Sequence, residues 1–235
     1  MVTRVTIDYD DSFNEYIVDS SKLKDFHLKG MARTIPGAVE GFFSHLENEI
    51  NSYKWHGQDE DYPDMSKLLG LQFHVYPQFL THDEDDIRYI KALNLMLKQH
   101  IGQKDKAGQD YIFHPIRVSK RCLEIDDKIV ALLHDTFEDT GMTPDELIRE
   151  GIKEVDVVDA VVAITRREGE TYAQFIERVC KNDIAREVKF HDLEDNMDIT
   201  RLPDLKEKDF HRLNKYLHAW RYINDIEKDT SLIVD

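Results

Sequence analysis

Four ionisable side chains lie within six residues of the chain, directly after an apolar run. Residues 129–133 are predicted to form buried helix, and the cluster that follows is His134, Asp135, Glu138 and Asp139. Residues four apart share a helix face, so His134 is predicted to lie beside Glu138, and Asp135 beside Asp139. Burying these groups without partners costs several kcal/mol per charge. A bound divalent metal would offset that cost, and a charged helix end in solvent is the simpler alternative.

Residues of the same types occur elsewhere in the chain. His114 lies upstream of the pair His134-Asp135, and Asp192 lies downstream of it. Together these segments offer imidazole nitrogens and carboxylate oxygens, without a thiolate. Such a set suits Mn, Fe or Zn in a catalytic site better than it suits a structural zinc.

Composition limits the classes of protein and partner. The 235 residues are 41% hydrophobic, which allows one sizeable core, alone or with an appendage. A formal net charge of −16 repels nucleic acid and anionic membranes, so an anionic substrate needs a local basic pocket. The two cysteines are too few for a disulfide framework. Without a signal-peptide core or an apolar run of about 20 residues, we expect a cytoplasmic protein.

The N-terminal third is predicted to be an extension, residues 1–80, of unknown role. Apolar residues alternate with polar ones over residues 5–9, and residues 13–18 can return as a second strand, which predicts a short β-hairpin. A helix is predicted over residues 36–56, because Pro36 suits a first helical turn. The aromatic segment 73–79 is ambiguous between strand and loop.

Residues 81–235 are predicted to form an all-helical domain. The prediction rests on apolar residues at helical spacing and on capping boxes that begin at Thr81 and Thr143. Phe210 and Trp220 are predicted to be core residues of the last helix. The predicted helices lie at about 84–100, 116–123, 126 through the ionisable cluster, 144–150, 155–164, 171–181, 183–199 and 210–226.

Three segments resemble the hydrolase motifs of one enzyme family. They are Gly102 to Pro115, the His-Asp-x-x-Glu-Asp run from His134 to Thr140, and Lys189 to Met197. Their order and spacing resemble those of HD-type metal phosphohydrolases of the Rel/Spo alarmone family, over about residues 85–202. The resemblance implies an HD-domain helical bundle and a small alarmone hydrolase without a synthetase domain. In that family, water attacks the 3′-phosphorus of (p)ppGpp and pyrophosphate leaves. The resemblance thus implies a role in the stringent response.

The resemblance also implies residue roles. Water would be oriented or deprotonated by Glu138 and Asp139, and Asn196 would contact the nucleotide or the water network. One Mn²⁺ per chain is implied, with other divalent metals as alternatives. Its implied ligands are His114, His134, Asp135 and Asp192.

The motifs that resemble the family also depart from it where substrate binds. The family's first motif usually carries an Arg-Lys pair whose arginine stacks on guanine, and this chain has Asp105-Lys106 there. Asp105 could instead accept hydrogen bonds from guanine or from an adenine amine, so (p)ppApp-like substrates stay candidates. The third motif lacks the family's arginine, and Arg201 is either its displaced substitute or a surface residue. The other cations predicted for a phosphate pocket are Lys104, Lys106, Arg117, Arg166 and Arg167, with a solvated charge cluster as the alternative for Arg166 and Arg167.

Two alternative functions stay open. An HD phosphatase could act on another phosphorylated nucleotide, such as NADPH at its 2′-phosphate or a nucleoside monophosphate. A binding module could use the same site to sense nucleotides. The expected partner is a small nucleotide, not nucleic acid or membrane, and homo-oligomerisation is left open. His191 is predicted to pack or to support the site, and four other histidines are predicted to be incidental: His74, His82, His100 and His211.

Overall fold

The structure is a computed structural model that describes residues 2–10, 12, 15–20, 28–56, 72–77, 83–202 and 204–231. Its strands are β1 (Val2–Asp10), β2 (Glu15–Asp19), β3 (Lys29–Ala32) and β4 (Gln72–Pro77). The first helices are α1 (Ile35–His56), α2 (Glu84–Gln99), α3 (Phe113–Arg121), α4 (Ile125–Leu133) and α5 (Thr136–Thr140). The others are α6 (Pro144–Arg149), α7 (Val155–Ile164), α8 (Tyr172–Val179), α9 (Asp183–Met197), a 3-10 helix (Ile199–Arg201) and α10 (Glu207–Ser231).

The predicted hairpin is part of a four-stranded sheet. β1 and β2 pair antiparallel, which confirms the hairpin, and the strand order is β3-β2-β1-β4. The ambiguous aromatic segment is β4, which pairs parallel with β1 after the chain crosses over through α1. Val5, Ile7 and Val75 alternate with more exposed residues and are buried on the face of the sheet that packs into the core.

Helices lie against the strands at both edges of the sheet. At one edge, a Cβ atom on Gly30 of β3 would lie 1.8 Å from the carbonyl oxygen of Ala38, so only glycine lets α1 pack this close. At the other edge, Asn94 of α2 donates to the carbonyl of Val75 at 2.9 Å and accepts from its N–H at 2.8 Å. The side-chain amide thereby pairs with β4 as another strand would.

The helical prediction after residue 81 is confirmed in the described part of the chain, where no strand follows β4. Asp83 caps α2 by accepting from Asp85 N, whereas the proposed cap Thr81 lies outside the described residues, as does His82. Phe210 is 55% exposed, so its prediction as a core residue is wrong. Trp220 packs on the core, stacked on Phe190 with ring centroids 5.2 Å apart. No described helix is both long and apolar enough to cross a bilayer.

Candidate metal and substrate site

The ionisable cluster lies at a break between two helices. α4 ends at Leu133 and α5 begins at Thr136, so the continuous helix predicted through this region is wrong. His134 and Asp135 occupy the turn between them. The first of the two helices is buried and apolar, and it carries the turn into the interior, where the two polar side chains face other helices.

The structure brings the four predicted metal ligands together. His114 comes from α3, His134 and Asp135 from the turn, and Asp192 from α9. Nε2 of His114 lies 3.1 Å from Oδ1 of Asp192 and 3.8 Å from Oδ2 of Asp135. Nε2 of His134 lies 3.0 Å from Oδ2 of Asp135 and 3.5 Å from Oδ1 of Asp192. Two imidazole nitrogens and two carboxylates thus converge as they would around one cation.

The imidazole tautomers fit metal binding. Nδ1 of His134 donates to the carbonyl of Ala131 at 2.8 Å, and Nδ1 of His114 donates to Oδ2 of Asp195 at 2.7 Å. With Nδ1 used as a donor, Nε2 is the ring nitrogen that each neutral imidazole could offer to a metal. Nε2 of His134 is buried, and none of its contacts with described residues, including the 3.0 Å approach to Asp135, has the geometry of a hydrogen bond. A bound divalent metal would satisfy this nitrogen.

Neighbouring side chains also hold the carboxylates. The hydroxyl of Tyr111 donates to Oδ2 of Asp135. Lys189 is held against Asp192, with Nζ 2.6 Å from Oδ2. The amide of Asn196 donates to the backbone carbonyl of Asp192 at 3.0 Å and to its side chain. Asn196, which the resemblance assigned to nucleotide or water, therefore restrains a predicted metal ligand as well as lining the cavity.

The charges at this centre favour a cation. Burial by itself lowers the pKa of His114 and of His134, but the surrounding carboxylates outweigh it and both pKa values are raised. Burial raises the pKa of Asp192, but Lys189 and the two histidines outweigh it and the net pKa is well below the usual range. The carboxylates are therefore ionised at neutral pH and attract positive charge.

Asp195 is a buried support residue that the sequence analysis missed. It is 1% exposed, and besides His114 it accepts from Arg117 through Nε at 2.8 Å and NH2 at 2.9 Å. Arg117 is thereby part of a buried ion pair. It is not among the described residues that line the cavity, so the phosphate-pocket role predicted for it finds no support there. The available signal was the spacing, because Asp195 follows Asp192 by one helical turn on α9.

The two predicted catalytic carboxylates have different surroundings. Glu138 accepts a hydrogen bond from the backbone N–H of Arg166, and burial raises its pKa despite that bond. Asp139 accepts from Nε2 of Gln103 at 2.6 Å. The side-chain amide oxygen of Gln103, Oε1, lies 2.7 Å from Nδ1 of His100, a histidine that is 1% exposed. His100, predicted to be incidental, thus fixes the amide that holds Asp139.

The four predicted metal ligands, together with Glu138 and Asp139, border a cavity of about 410 Å³. Six predicted substrate-binding residues line it, namely Lys104, Asp105, Lys106, Arg166, Asn196 and Arg201. Arg167 is exposed and is not among the described residues that line it. The lining also contains basic and aromatic residues that the sequence analysis did not select, namely Tyr172, Phe175, Lys189, Arg212, Lys215 and Tyr216.

The two departures from the family motifs meet in the structure. Oδ1 of Asp105 accepts from the N–H groups of Ala107 and Gln109 at 2.9 and 2.8 Å. Its Oδ2 accepts from NH1 of Arg201 at 3.2 Å, and NH2 of Arg201 donates to the carbonyl of Asp195 at 2.8 Å. The aspartate and the displaced arginine therefore form one ion pair that holds the loop before α3.

His191 supports α9 rather than the metal centre. Its Nε2 lies 3.1 Å from Glu187 and its Nδ1 lies 3.1 Å from Glu194, one turn before and after it. Both partners are on its own helix. Of the two predicted alternatives, these contacts favour packing over support of the site.

Comparisons with known proteins find relatives over part of the chain. A guanosine-3′,5′-bis(diphosphate) 3′-pyrophosphohydrolase of Borreliella burgdorferi is 38% identical over 79 residues, 32% of this chain and 12% of the relative. A protein with the same description from Aquifex aeolicus is 33% identical over 144 residues, 57% of this chain and 19% of the relative. A probable GTP pyrophosphokinase of Mycobacterium leprae is 33% identical over 129 residues, 50% and 16% respectively. The chain thus spans less than a fifth of the length of these relatives.

One solved structure and the family models complete the comparison. The structure, described as a metazoan ortholog of SpoT that hydrolyses ppGpp, has a TM-score of 0.48 and 21% identity, over 60% of this chain and 89% of that one. No family model matches the chain. The sequence relatives confirm the resemblance that the three motifs predicted: over the matched residues, this chain is similar to Rel/Spo proteins described as 3′-pyrophosphohydrolases.

Proposed function

We propose that this protein is a metal-dependent hydrolase that removes the 3′-pyrophosphate from (p)ppGpp- or (p)ppApp-like alarmone nucleotides. The observation that carries the proposal is the convergence of two histidines and two aspartates beside Glu138 and Asp139 in one cavity. The relatives described as 3′-pyrophosphohydrolases support the same reaction.

The proposed ligands of one divalent cation are His114, His134, Asp135 and Asp192. We propose Mn²⁺, because a set of imidazole and carboxylate donors without thiolate suits it. When bound there, the metal would lower the pKa of water toward neutrality and polarise the phosphorus centre. Asp195 and Ala131 keep the imidazole tautomers that this binding requires.

Glu138 and Asp139 are the proposed catalytic residues. Glu138 would accept the proton of the attacking water, and its raised pKa brings it closer to the operating pH than an ordinary glutamate. Asp139 would orient that water, since Gln103 fixes its carboxylate from the other side.

Lys106, Arg212 and Lys215 of the cavity lining are the proposed phosphate-binding group. The pKa of Lys106 is lowered by burial and by the nearby charges of Arg212 and Lys215. A bound polyphosphate would neutralise these like charges. The basic cluster is a local exception to the net negative charge of the protein. Arg166, Lys104 and Arg201 are proposed to extend the group. Arg167 is not included, because it is not among the described residues that line the cavity.

The choice between guanine and adenine is open in this proposal. Because Oδ1 of Asp105 accepts two backbone hydrogen bonds and Oδ2 pairs with Arg201, we propose that Asp105 shapes its loop. A direct hydrogen bond from the base would have to compete with those partners.

We also propose that residues 81–235 form the hydrolase domain and that residues 1–80 are an extension. A shared apolar core joins the two parts, because buried residues of β1, α1 and β4 belong to one cluster with those of α2 to α10. We therefore propose that the described part of the extension packs directly on the hydrolase domain.

Product analysis tests the proposed reaction. ppGpp, ppApp and NADPH are incubated separately with the protein, with and without Mn²⁺, and the products are resolved by ³¹P NMR. We expect Mn²⁺-dependent release of pyrophosphate and the nucleoside 5′-diphosphate, with no release by His134→Ala. Inorganic phosphate as the product, or turnover of NADPH to NADH alone, would favour the other HD phosphatase. Metal binding without turnover of any nucleotide would favour a sensing module.

A further inference from the structure

One face of α1 carries buried and half-buried polar side chains toward the helical part of the protein. Glu40, Glu47 and Asn51 are spaced by seven and four residues, which places them on one side of the helix. Glu40 is 4% exposed and Glu47 is 7% exposed. Buried carboxylates at this degree of burial require charged or hydrogen-bonding partners, and both find them on α3 and α4.

Glu47 is connected to a proposed metal ligand by two intervening side chains. Its Oε1 accepts a hydrogen bond from NH1 of Arg117. The same guanidinium donates to both carboxylate oxygens of Asp195, from Nε at 2.8 Å and NH2 at 2.9 Å. Asp195 in turn accepts from Nδ1 of His114 at 2.7 Å. Buried or largely buried groups make up every step, so water competes weakly for these bonds.

We propose that Glu47 of α1 is a positioning residue for the metal site, acting on His114 through Arg117 and Asp195. A guanidinium holds its N–H donors in a rigid plane, so fixing NH1 on Glu47 also fixes the pair of bonds to Asp195. Asp195 then sets the tautomer and ring orientation of His114, which determine the direction of its free Nε2. The inference rests on the proposed metal site and assigns the extension a role in it.

The same face of α1 reaches the loop before α3. Gln109 donates a side-chain hydrogen bond to Oδ1 of Asn51. Gln109 also exchanges backbone hydrogen bonds with Asp105, whose N–H donates to the Gln109 carbonyl at 2.8 Å and whose Oδ1 accepts from the Gln109 N–H at 2.8 Å. α1 therefore contacts the support of the metal ligand through Glu47, and through Asn51 it contacts Gln109, which holds the cavity-lining Asp105.

Glu40 supplies a matched control on the same helix face. It is buried to the same degree as Glu47, and it accepts from Lys128 at 2.8 Å and from Ser119 at 3.1 Å. A purely structural role for α1 predicts that loss of either carboxylate has the same consequences. The positioning role predicts that only loss of Glu47 changes metal binding.

The test measures Mn²⁺ affinity of the full chain by titration calorimetry, with urea unfolding in parallel. Partners that directly support a metal ligand, as Asp195 does, typically change metal affinity 10- to 100-fold. Glu47 lies two side chains beyond Asp195's contact with His114, so we expect Glu47→Gln to weaken Mn²⁺ binding about three- to tenfold. Glu40→Gln should lose stability to unfolding while its Mn²⁺ affinity stays within about twofold, the scatter allowed for a distant site. Equal changes in the two variants, or no change in either, would overturn the inference.

A double variant tests the route through Asp195. If Glu47 acts through that carboxylate, adding Glu47→Gln to Asp195→Asn produces little further loss of Mn²⁺ affinity. If the losses of Mn²⁺ affinity in the two single variants instead multiply in the double variant, Glu47 does not act through Asp195. Should Glu47→Gln not fold, Glu47→Asp keeps the charge on a shorter side chain and is compared with Glu40→Asp.

Mn²⁺ affinity needs no substrate, so the two proposals fail separately. A wild-type protein that binds Mn²⁺ but releases no pyrophosphate would sink the proposed reaction alone. A wild-type protein that releases pyrophosphate, with Glu47→Gln and Glu40→Gln equal in Mn²⁺ affinity, would sink the positioning role alone.

Discussion

Nδ1 of His114 lies 2.7 Å from Oδ2 of Asp195, and the two residues are 81 positions apart in the chain. Asp195 is shielded from solvent and also paired with Arg117. It therefore has the position that carboxylates commonly take behind a metal-binding histidine, where they fix the tautomer and raise the basicity of the ligand.

We predict that Asp195→Asn weakens Mn²⁺ binding about 10- to 100-fold, because an amide oxygen is a weaker acceptor than the carboxylate for the His114 N–H. Calorimetric titration checks this, and circular dichroism checks that the helices persist. Glu194→Gln is the control, since Glu194 pairs with Arg121 and His191 and is not among the described residues that line the cavity. Unchanged affinity in Asp195→Asn would remove the support role.

Gln103 is predicted to affect turnover without affecting metal binding. Its amide donates to Asp139, so Gln103→Ala should lower kcat about tenfold, the value of roughly one hydrogen bond to a charged group. Gln103→Glu should lower kcat further, because it places a second carboxylate against Asp139. Steady-state kinetics with saturating Mn²⁺ measure both. A parallel fall in Mn²⁺ affinity would show that Gln103 acts on the metal centre instead.

Lys215 is predicted to contribute to substrate binding from α10. Its Nζ lies 4.4 Å from the ring centre of Tyr172 in the cavity wall. Lys215→Ala should raise KM about tenfold with a smaller change in kcat, as loss of one charge-assisted contact to phosphate predicts. Lys208→Ala is the matched control, because Lys208 is exposed on the same helix and is not among the described lining residues. Equal KM changes in both variants would indicate a general effect of charge.

Metal removal is predicted to lower the stability of the protein. A ligand present at about 100 times its Kd adds about 2.7 kcal/mol to the free energy of unfolding. Thermal unfolding with EDTA and with Mn²⁺ should therefore differ in Tm for the wild type. His134→Ala should lose that difference, since it removes one of the proposed ligands. A full Mn²⁺-dependent shift in His134→Ala would mean that the metal binds elsewhere.

Asp127 is predicted to destabilise the protein at neutral pH. Burial, and then the charges of Glu187, Glu124 and Asp126, raise the pKa of Asp127 to about 6. The unfolded carboxyl ionises near pH 3.9, so the folded state loses stability as pH rises from about 4 through 6. Asp127→Asn should gain about 1 kcal/mol at pH 7.5, after allowance for solvent screening of a half-exposed group. The gain should vanish near pH 4, as measured by urea unfolding. A gain that is equal at both pH values would exclude ionisation as its cause.

Local features of this protein are readable from its sequence because their causes lie within a few residues. The capping box at Thr143 and the helix opening at Thr171 are both present, since cap and partner are three residues apart. Apolar periodicity likewise predicted most helices after residue 81. The residue types of the three motifs predicted which side chains could form a metal site, and the structure brings those four together.

The tertiary structure decided the features whose partners are distant in the chain. Glu47 and Arg117 are 70 residues apart, and nothing near either residue indicates their pairing. The break at His134 and the cations of α10 likewise follow from packing against other helices rather than from local pattern. A sequence states which charges are present, but only the folded chain determines which of them are buried together and must neutralise one another.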